Sequence, residues 1–352
     1  MPVYIQSSNQ ISVQKPFSDE WFYDPVYYSG KRVASIDVRF ADYLSPLMSR
    51  RMCALLKRAV VASRKTLKDA GIETPDAIIS GTGLGCIDNT EKFLVSMLEN
   101  GEKTLQPSYF MQSTHNVVSS TVAIDLKCHG YNNSFVHRGV SFEHALLDAM
   151  MQFARKRINN ALVGGFDELT DNYYNMFGKI GMYNFATDDS PKMKCFASEA
   201  AVSMALSAEK TEKTLCEVNG VELMYRPACD RIREALDRML AGAGCGLSDV
   251  DAVITGINTN AADDEVYFRV AENVFACRPV VQYKHIFGES FSSSAMAVHV
   301  AATCLDKGSI PSFLVSDRFA GAPTGDITGV KRILLYNHHK NKSHSLILLS
   351  SC

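Results

Sequence analysis

The sequence predicts an α/β protein built from two similar halves. Three observations lead there. Short apolar runs ending in glycine recur at Ala77-Ile-Ile-Ser-Gly81, Ala161-Leu-Val-Gly-Gly165 and Ala252-Val-Ile-Thr-Gly256, as expected of buried parallel strands. Segments with helical spacing of apolar residues lie between such runs; in Leu55 to Ala70, Lys and Arg occupy the opposite face. The pattern restarts at about Ser198, leaving the weak echo that an internal duplication would leave. This divides the chain into 1–197 and 198–352.

From Pro2 to about Phe185, short strands alternate with helices. Asn133 to Glu143 reads as a buried strand, a sharp turn at Gly139, and then a helix rich in Ala, Leu and Met from Ala145 to Phe153. Such an elbow exposes a side chain at a helix N-terminus, where backbone N–H groups and the helix dipole stabilise negative charge. It is a natural seat for a thiolate nucleophile. Gly139, however, has no side chain to attack with. Thr187-Asp-Asp-Ser-Pro191 reads as a polar loop near the junction. Beyond it, Ala201 to Leu206 reads as a strand, Ile232 to Leu240 as a helix, and Ser292 to Leu305 as a small-residue helix. Arg332 to Tyr336 and Leu346 to Leu349 read as closing strands.

The chain has 352 residues and 46% hydrophobic content, enough for a large core. Length alone suggests about two or three domains. A formal net charge of −2 gives no general attraction to nucleic acid. The 10 Cys are scattered without a CxxC pair, which fits reduced thiols in a cytoplasmic protein better than a disulfide framework. Met1 to Gln14 lacks the basic and apolar runs of a secretory leader, and no stretch approaches the length of a membrane helix.

A series of short motifs runs along most of the chain. Met48-Ser-Arg-Arg51 precedes a helix ending in Asp69-Ala-Gly71. Gly81-Thr-Gly-Leu-Gly85 follows a core strand, and Gln112-Ser-Thr-His-Asn116 precedes the elbow. Val163-Gly-Gly-Phe-Asp-Glu168, Ser198-Glu-Ala-Ala201 and Lys284-His-Ile-Phe-Gly-Glu289 come after it. Each is weak alone. In this order and spacing they resemble the β-ketoacyl-acyl-carrier-protein synthases of the thiolase superfamily. The resemblance implies a thiolase-like fold, with two duplicated βαβ halves in α-β-α-β-α layers.

The departures from that family are as informative as the matches. Condensing members use a Cys that attacks the acyl thioester and two His that support decarboxylation and stabilise the enolate oxyanion. Here Gly139 stands at the Cys position and Glu289 at the second His position. The first His falls near Gly256-Ile-Asn-Thr-Asn260, where Ile257 or Asn258 takes its place. Lys284 matches the family lysine. Asn337-His-His-Lys-Asn-Lys-Ser343 replaces the family's glycine- and phenylalanine-rich gating loop.

Plainer readings stand beside these. Gly139 would serve as a turn glycine if its φ were positive. Ser141 and His137 are the nearest substitutes for a nucleophile or base, although Ser141 has no obvious base partner in sequence. Glu289 is expected to pair with Lys284; a general base in altered chemistry is the other reading. His115 and Asn116 read equally well as pocket-orienting groups or as a helix N-cap region. Asp167 and Glu168 follow a strand end, where α/β proteins place functional groups, although a salt bridge to a partner helix is the more ordinary role. His338, His339 and His344 lack the spacing of a closed metal site. Phe110, Met111, Phe142 and Met176 are expected to line an acyl pocket, or else to be core.

In type II polyketide and aryl-polyene systems, similar Cys-less proteins act as chain-length factors. The resemblance therefore implies a subunit that completes a heterodimer with a Cys-containing synthase and limits product length. It implies no cofactor. The expected interface is Gln112 to Asn133. An acyl carrier protein would be met by Arg50, Arg51 and Lys57. Two alternatives remain at this level: a synthase or malonyl decarboxylase with a displaced catalytic set, favoured by a pocket joining Asn258, Lys284 and Glu289 beneath Gly139, and a homodimeric acyl-binding scaffold.

Overall fold

The strands alternate with helices along the chain, and their order in space repeats. A computed structural model describes residues 2–103, 105–183, 185, 194–275, 278–319 and 322–352. The polar loop expected at 187–191 lies outside the described residues. The strands are β1 (Tyr4–Ile11), β2 (Ala77–Gly81), β3 (Tyr131–Phe135), β4 (Asn160–Asp167), β5 (Ala200–Ser207), β6 (Cys216–Tyr225), β7 (Ala252–Thr255), β8 (Val280–Val281), β9 (Ser309–Ile310), β10 (Ile327–Thr328), β11 (Arg332–His339) and β12 (Ser343–Ser350). Ten of them form one hydrogen-bonded series, β3-β2-β4-β5-β1-β6-β12-β11-β7-β8, and β9 pairs with β10 apart from it. Numbered within each half, the first five lie in the order 3-2-4-5-1 and the second five in the order 1-5-4-2-3. The halves mirror each other across a short β1–β6 junction at Tyr4–Glu217 and Ile5–Cys216. Strand β5, which follows the sequence boundary at residue 198, sits between β4 and β1.

Period-two alternation in these strands separates the helix layers. Ala77 and Ile79 of β2 and Ile333 and Leu335 of β11 face one shared core. That core also holds the Ser141–Ala154 and Ser293–Lys307 helices, so these form the central layer. Ile78 and Leu162 face the Ala54–Ala70 and Val117–Leu126 helices. Val253, Leu334 and Leu348 face the Cys229–Gly242 and Ala261–Val274 helices. The result is the α-β-α-β-α layering that the family resemblance implied. The Ser293–Lys307 helix is buried along nearly its whole length because Ser, Ala and Val let both halves of the sheet approach it closely.

The elbow strand differs from expectation. β3 is half-exposed and forms the outer edge of the sheet, with Tyr131 39% exposed. Its polar sequence, Tyr-Asn-Asn-Ser-Phe, suits an edge better than a buried strand. The elbow helix is pressed onto β2: a Cβ on Gly81 would lie 2.5 Å from the backbone of Phe142, so that strand end admits only glycine.

Candidate functional site

Where the two halves meet beside the elbow, a cleft of about 50 Å³ opens under Gly139. Its polar floor is Asn258, Lys284 and Glu289, and its walls include Tyr183, Phe291 and His339. The elbow reaches it through β3, the turn at Arg138–Val140 and the Ser141–Ala154 helix. The floor comes from the loop after β7 and the short Lys284–Phe287 helix. His338 and His339 come from the end of β11, at the tip of the β11–β12 hairpin.

Lys284 is buried, and its Nζ donates to Glu289 Oε2 at 2.6 Å. Asn258 Nδ2 donates to the same oxygen at 2.7 Å, and Ser293 Oγ to Glu289 Oε1 at 3.2 Å. Burial pulls the Lys284 pKa down, but Glu289 and the phenols of Tyr283 and Tyr267 outweigh it. The amine therefore stays protonated. The expected Lys284–Glu289 pair is present, and its carboxylate is engaged by three donors. Asp264 receives the Asn258 N–H at 2.9 Å and fixes the loop; burial raises its pKa to about 6.

The space above this floor is filled from the hairpin. A Cβ placed on Gly139 would lie 2.8 Å from His339 Nδ1 and 3.4 Å from its Cβ. The His339 ring, tilted against Phe291 at 5.9 Å between centroids, holds the volume that a side chain at position 139 would enter. Burial lowers the His339 pKa to about 4, so the ring is neutral at pH 7. Beside it, Asn337 Nδ2 donates to the Gly139 carbonyl at 3.0 Å and to Glu143 Oε1 at 2.7 Å. Glu143 is fully buried, and Ser294 and Ser345 also donate to it at 2.8 and 3.1 Å. Burial raises its pKa. These bonds tie the hairpin strands β11 and β12 and the central Ser293–Lys307 helix to the elbow.

A family model for the β-ketoacyl synthase N-terminal domain matches residues 30–228, more than half of the chain. The chain belongs to the β-ketoacyl synthase family. No curated protein matches it in sequence. Among solved structures, it is similar to the ishigamide ketosynthase/chain length factor at 17% identity and a TM-score of 0.81, covering 100% of this chain and 99% of that one. A β-ketoacyl synthase from Burkholderia phymatum STM815 is similar at 14% identity and a TM-score of 0.80, with the same coverage. So is AntDE:AntF, a type II PKS acyl-carrier protein in complex with its ketosynthase, also at 14% and 0.80 with the same coverage. At these identities the likeness is one of fold, here the thiolase-like fold.

Set against the β-ketoacyl synthase pattern, Gly139, Asn258, Lys284 and Glu289 do converge on one cleft. The suggested substitutes do not join them. Ser141 is fully buried, and its hydroxyl lies 2.9 Å from the Thr82 carbonyl, 2.7 Å from the Arg138 carbonyl and 2.8 Å from the His137 N–H it accepts. It pins the elbow and is not free to attack. His137 is exposed and stacks on His144 at 4.3 Å, outside the cleft lining. Gly139 is not a positive-φ glycine; Arg138 takes the left-handed conformation at φ 52°. The acyl-pocket residues are not gathered either. Phe142 is core, whereas Phe110, Met111 and Met176 are 56%, 67% and 52% exposed, and none lines the cleft.

Asp167 and Glu168 do not make the expected salt bridge to a helix. Asp167 accepts from Thr82 Oγ1 and from the Gly83 and Leu84 N–H groups at 2.7–2.9 Å, holding the glycine turn, and burial raises its pKa to about 6. Glu168 accepts the Asp88 N–H at 3.1 Å at a helix start, with its pKa raised by burial to about 7. Asn116 precedes the Val117–Leu126 helix without a side-chain cap, and His115 lies against Gly85. His338 packs tilted against Tyr267 with ring centroids 4.2 Å apart, and its Nε2 lies 2.9 Å from the Asp263 carbonyl. Among the described residues no His, Cys, Asp and Glu group is placed to hold a metal ion. The nine described cysteines are free thiols; Cys277 lies outside the described residues. No described helix is long and apolar enough to cross a membrane.

The roles of His339 and Asn337 were missed from sequence. The available signal was that the resemblance put departures at both Gly139 and Asn337 to Ser343, two segments that the fold brings together.

Proposed function

We propose that this chain is a non-condensing, chain-length-factor-like subunit of a β-ketoacyl-acyl-carrier-protein synthase, acting in the cytoplasm in fatty acid or polyketide biosynthesis of the aryl-polyene type. One observation carries the reading: the His339 ring fills the space that a side chain would enter at Gly139, the residue the resemblance puts at the nucleophile position. A chain that had lost its cysteine but kept an open acyl site would leave that volume empty. What remains enclosed beneath the ring is about 50 Å³, room for a few waters.

The role is structural. The exposed edge of β3 and the outward side chains of Ile124 and Tyr131, 79% and 39% exposed, offer a surface for a second synthase-fold subunit. Phe110 and Met111, also exposed, would then reach an acyl tunnel only across that interface. A Cys-containing synthase is the partner this reading names, and a second copy of this chain is the other outcome. The solved neighbours named as a ketosynthase/chain length factor and as a ketosynthase with its acyl-carrier protein support it. Arg50 and Arg51 are exposed and Lys57 is half-buried, which leaves at least the two arginines available to an acidic carrier protein.

The test is a malonyl-carrier decarboxylation and condensation assay on the chain alone and with a co-expressed Cys-containing synthase. The reading expects condensation only in the mixture, with product length altered by bulky substitutions in this chain. Condensation by the chain alone would overturn it.

One observation favours a second reading. The cleft does join Asn258, Lys284 and Glu289 beneath Gly139. That is the arrangement a malonyl decarboxylase or a synthase with a displaced catalytic set would need, because decarboxylation requires no acyl-cysteine. Decarboxylation by the isolated chain, abolished by Lys284→Met, would establish it.

A further inference from the structure

Two thiols meet in the first half of the chain, in the outer core that packs the Ala54–Ala70 helix. Cys53 immediately precedes that helix, and Cys86 immediately precedes the Ile87–Asn100 helix. One side chain draws the two helix starts together. Gln112, at the end of the Pro107–Ser113 helix, accepts at Oε1 from the Cys53 N–H at 3.3 Å and from Asn89 Nδ2 at 2.8 Å. Asn89 lies one turn beyond Cys86. Gln112 Nε2 donates in turn to the Arg51 carbonyl. Across this clamp the Cys86 thiol hydrogen-bonds to the sulfur of Cys53.

The pair is asymmetric. Cys86 is 0% exposed, whereas Cys53 is half-buried between the exposed Arg51 and Ala54. The hydrogen bond to Cys53, together with burial, pushes the Cys86 pKa up, so that thiol keeps its proton. A small oxidant therefore meets Cys53 first, with Cys86 directly behind it. Other thiols are spent on the backbone. Cys128, Cys195 and Cys245 donate to the carbonyls of Pro75, Phe196 and Leu240 at 3.1, 3.7 and 3.6 Å, and Cys304 is enclosed in the central core.

We propose that Cys53 and Cys86 form a peroxide-sensitive pair that closes to a disulfide. The Cys53 sulfur attacks one oxygen of hydrogen peroxide, the O–O bond breaks, and a sulfenic acid forms with release of one water. The Cys86 sulfur then attacks the Cys53 sulfur. The S–O bond breaks, the S–S bond forms, and the departing hydroxide takes the Cys86 proton as a second water. Two thiols are oxidised and one peroxide is reduced. A reversible link of this kind suits a compartment in which thiols are otherwise kept reduced. It would staple the two helix starts beside Gln112, next to the exposed Phe110 and Met111. The site is independent of the role proposed for the elbow cleft.

The test treats the folded full chain with one equivalent of hydrogen peroxide, alkylates the remaining thiols after unfolding, and maps the peptides by mass spectrometry. The expected result is the loss of two thiols per peroxide consumed, with a Cys53–Cys86 link that dithiothreitol reverses as the main product. Cys86→Ala should form no link and leave Cys53 as a sulfenic acid, trapped by dimedone at least tenfold more than in the parent chain. Cys53→Ser should slow the oxidation of Cys86 at least tenfold. If Cys86→Ala does not fold, the parent chain and Cys53→Ser decide the matter. Absence of the link in the parent chain, a different cysteine pair as the main product, or unchanged oxidation of Cys86 in Cys53→Ser would each overturn the proposal.

Discussion

The imidazole of His339 stands where a side chain on Gly139 would begin, with Nδ1 2.8 Å from the position of the missing Cβ. The two residues are 200 positions apart in sequence and belong to different halves of the fold. The elbow turn and the hairpin tip are thus packed as one structural unit. Neither changes alone without a clash or a void.

A first prediction concerns restoring the nucleophile. Gly139→Cys alone forces the thiol against the His339 ring and should cost about 1–3 kcal/mol as overpacking. Paired with His339→Gly, the same substitution should regain most of the lost stability and leave a thiol that reacts with iodoacetamide. Thermal melts and alkylation kinetics check both. Equal melting temperatures for the single and double variants would show that the ring does not occupy that space.

The Lys284–Glu289 pair makes a second. Lys284→Met leaves a carboxylate facing a buried cavity and should lower stability by about 3–5 kcal/mol. Lys284→Met with Glu289→Leu removes both charges and should be less harmful than the single change. Denaturant unfolding of the four variants in a double-mutant cycle reads the coupling.

The third is a pH dependence. The folded His339 pKa, about 4, lies below the ordinary imidazole value of about 6.5. Between these values the unfolded chain binds a proton that the folded chain does not. This residue's contribution to stability is therefore complete above about pH 6.5 and declines as the pH falls towards 4. The buried carboxyls Asp167 and Glu168, with raised pKa values, act in the opposite sense over an overlapping range. Comparing variants separates the two effects: His339→Asn should show a smaller drop in melting temperature between pH 7.5 and pH 5 than the parent chain.

A fourth addresses the partner. Ile124→Lys and Tyr131→Lys place charge on exposed surface beside the free strand edge. Each should change monomer stability by no more than about 0.5 kcal/mol, yet abolish co-purification with a Cys-containing synthase. Retained co-purification by both variants would move the interface elsewhere. Charge reversal at Arg50 and Arg51 should weaken carrier binding without affecting the pairing.

Much of the architecture was legible in the chain. The runs at Ala77–Gly81, Ala161–Gly165 and Ala252–Gly256 fall on β2, β4 and β7, because strands buried on both faces need unbroken apolar sequence. The Lys284–Glu289 pair was also readable, since five residues across one short helix and turn bring their ends together. The edge position of β3 was missed because a five-residue strand carries little periodic signal, although its two asparagines were a clue.

The sequence by itself determined the layered α/β fold and placed a side-chain-free Gly139 at the elbow and Lys284 five residues before Glu289. Local propensity, apolar period and motif order are properties of neighbouring residues, and a linear reading captures them. Only the tertiary structure decided that His339 fills the volume beside Gly139, that Asn337 ties the hairpin to the elbow through Glu143, that Ser141 is consumed by backbone bonds, and that the thiols of Cys53 and Cys86 meet. Each of these depends on contacts between segments far apart in the chain, where a displacement of one or two ångströms separates a filled site from an open one.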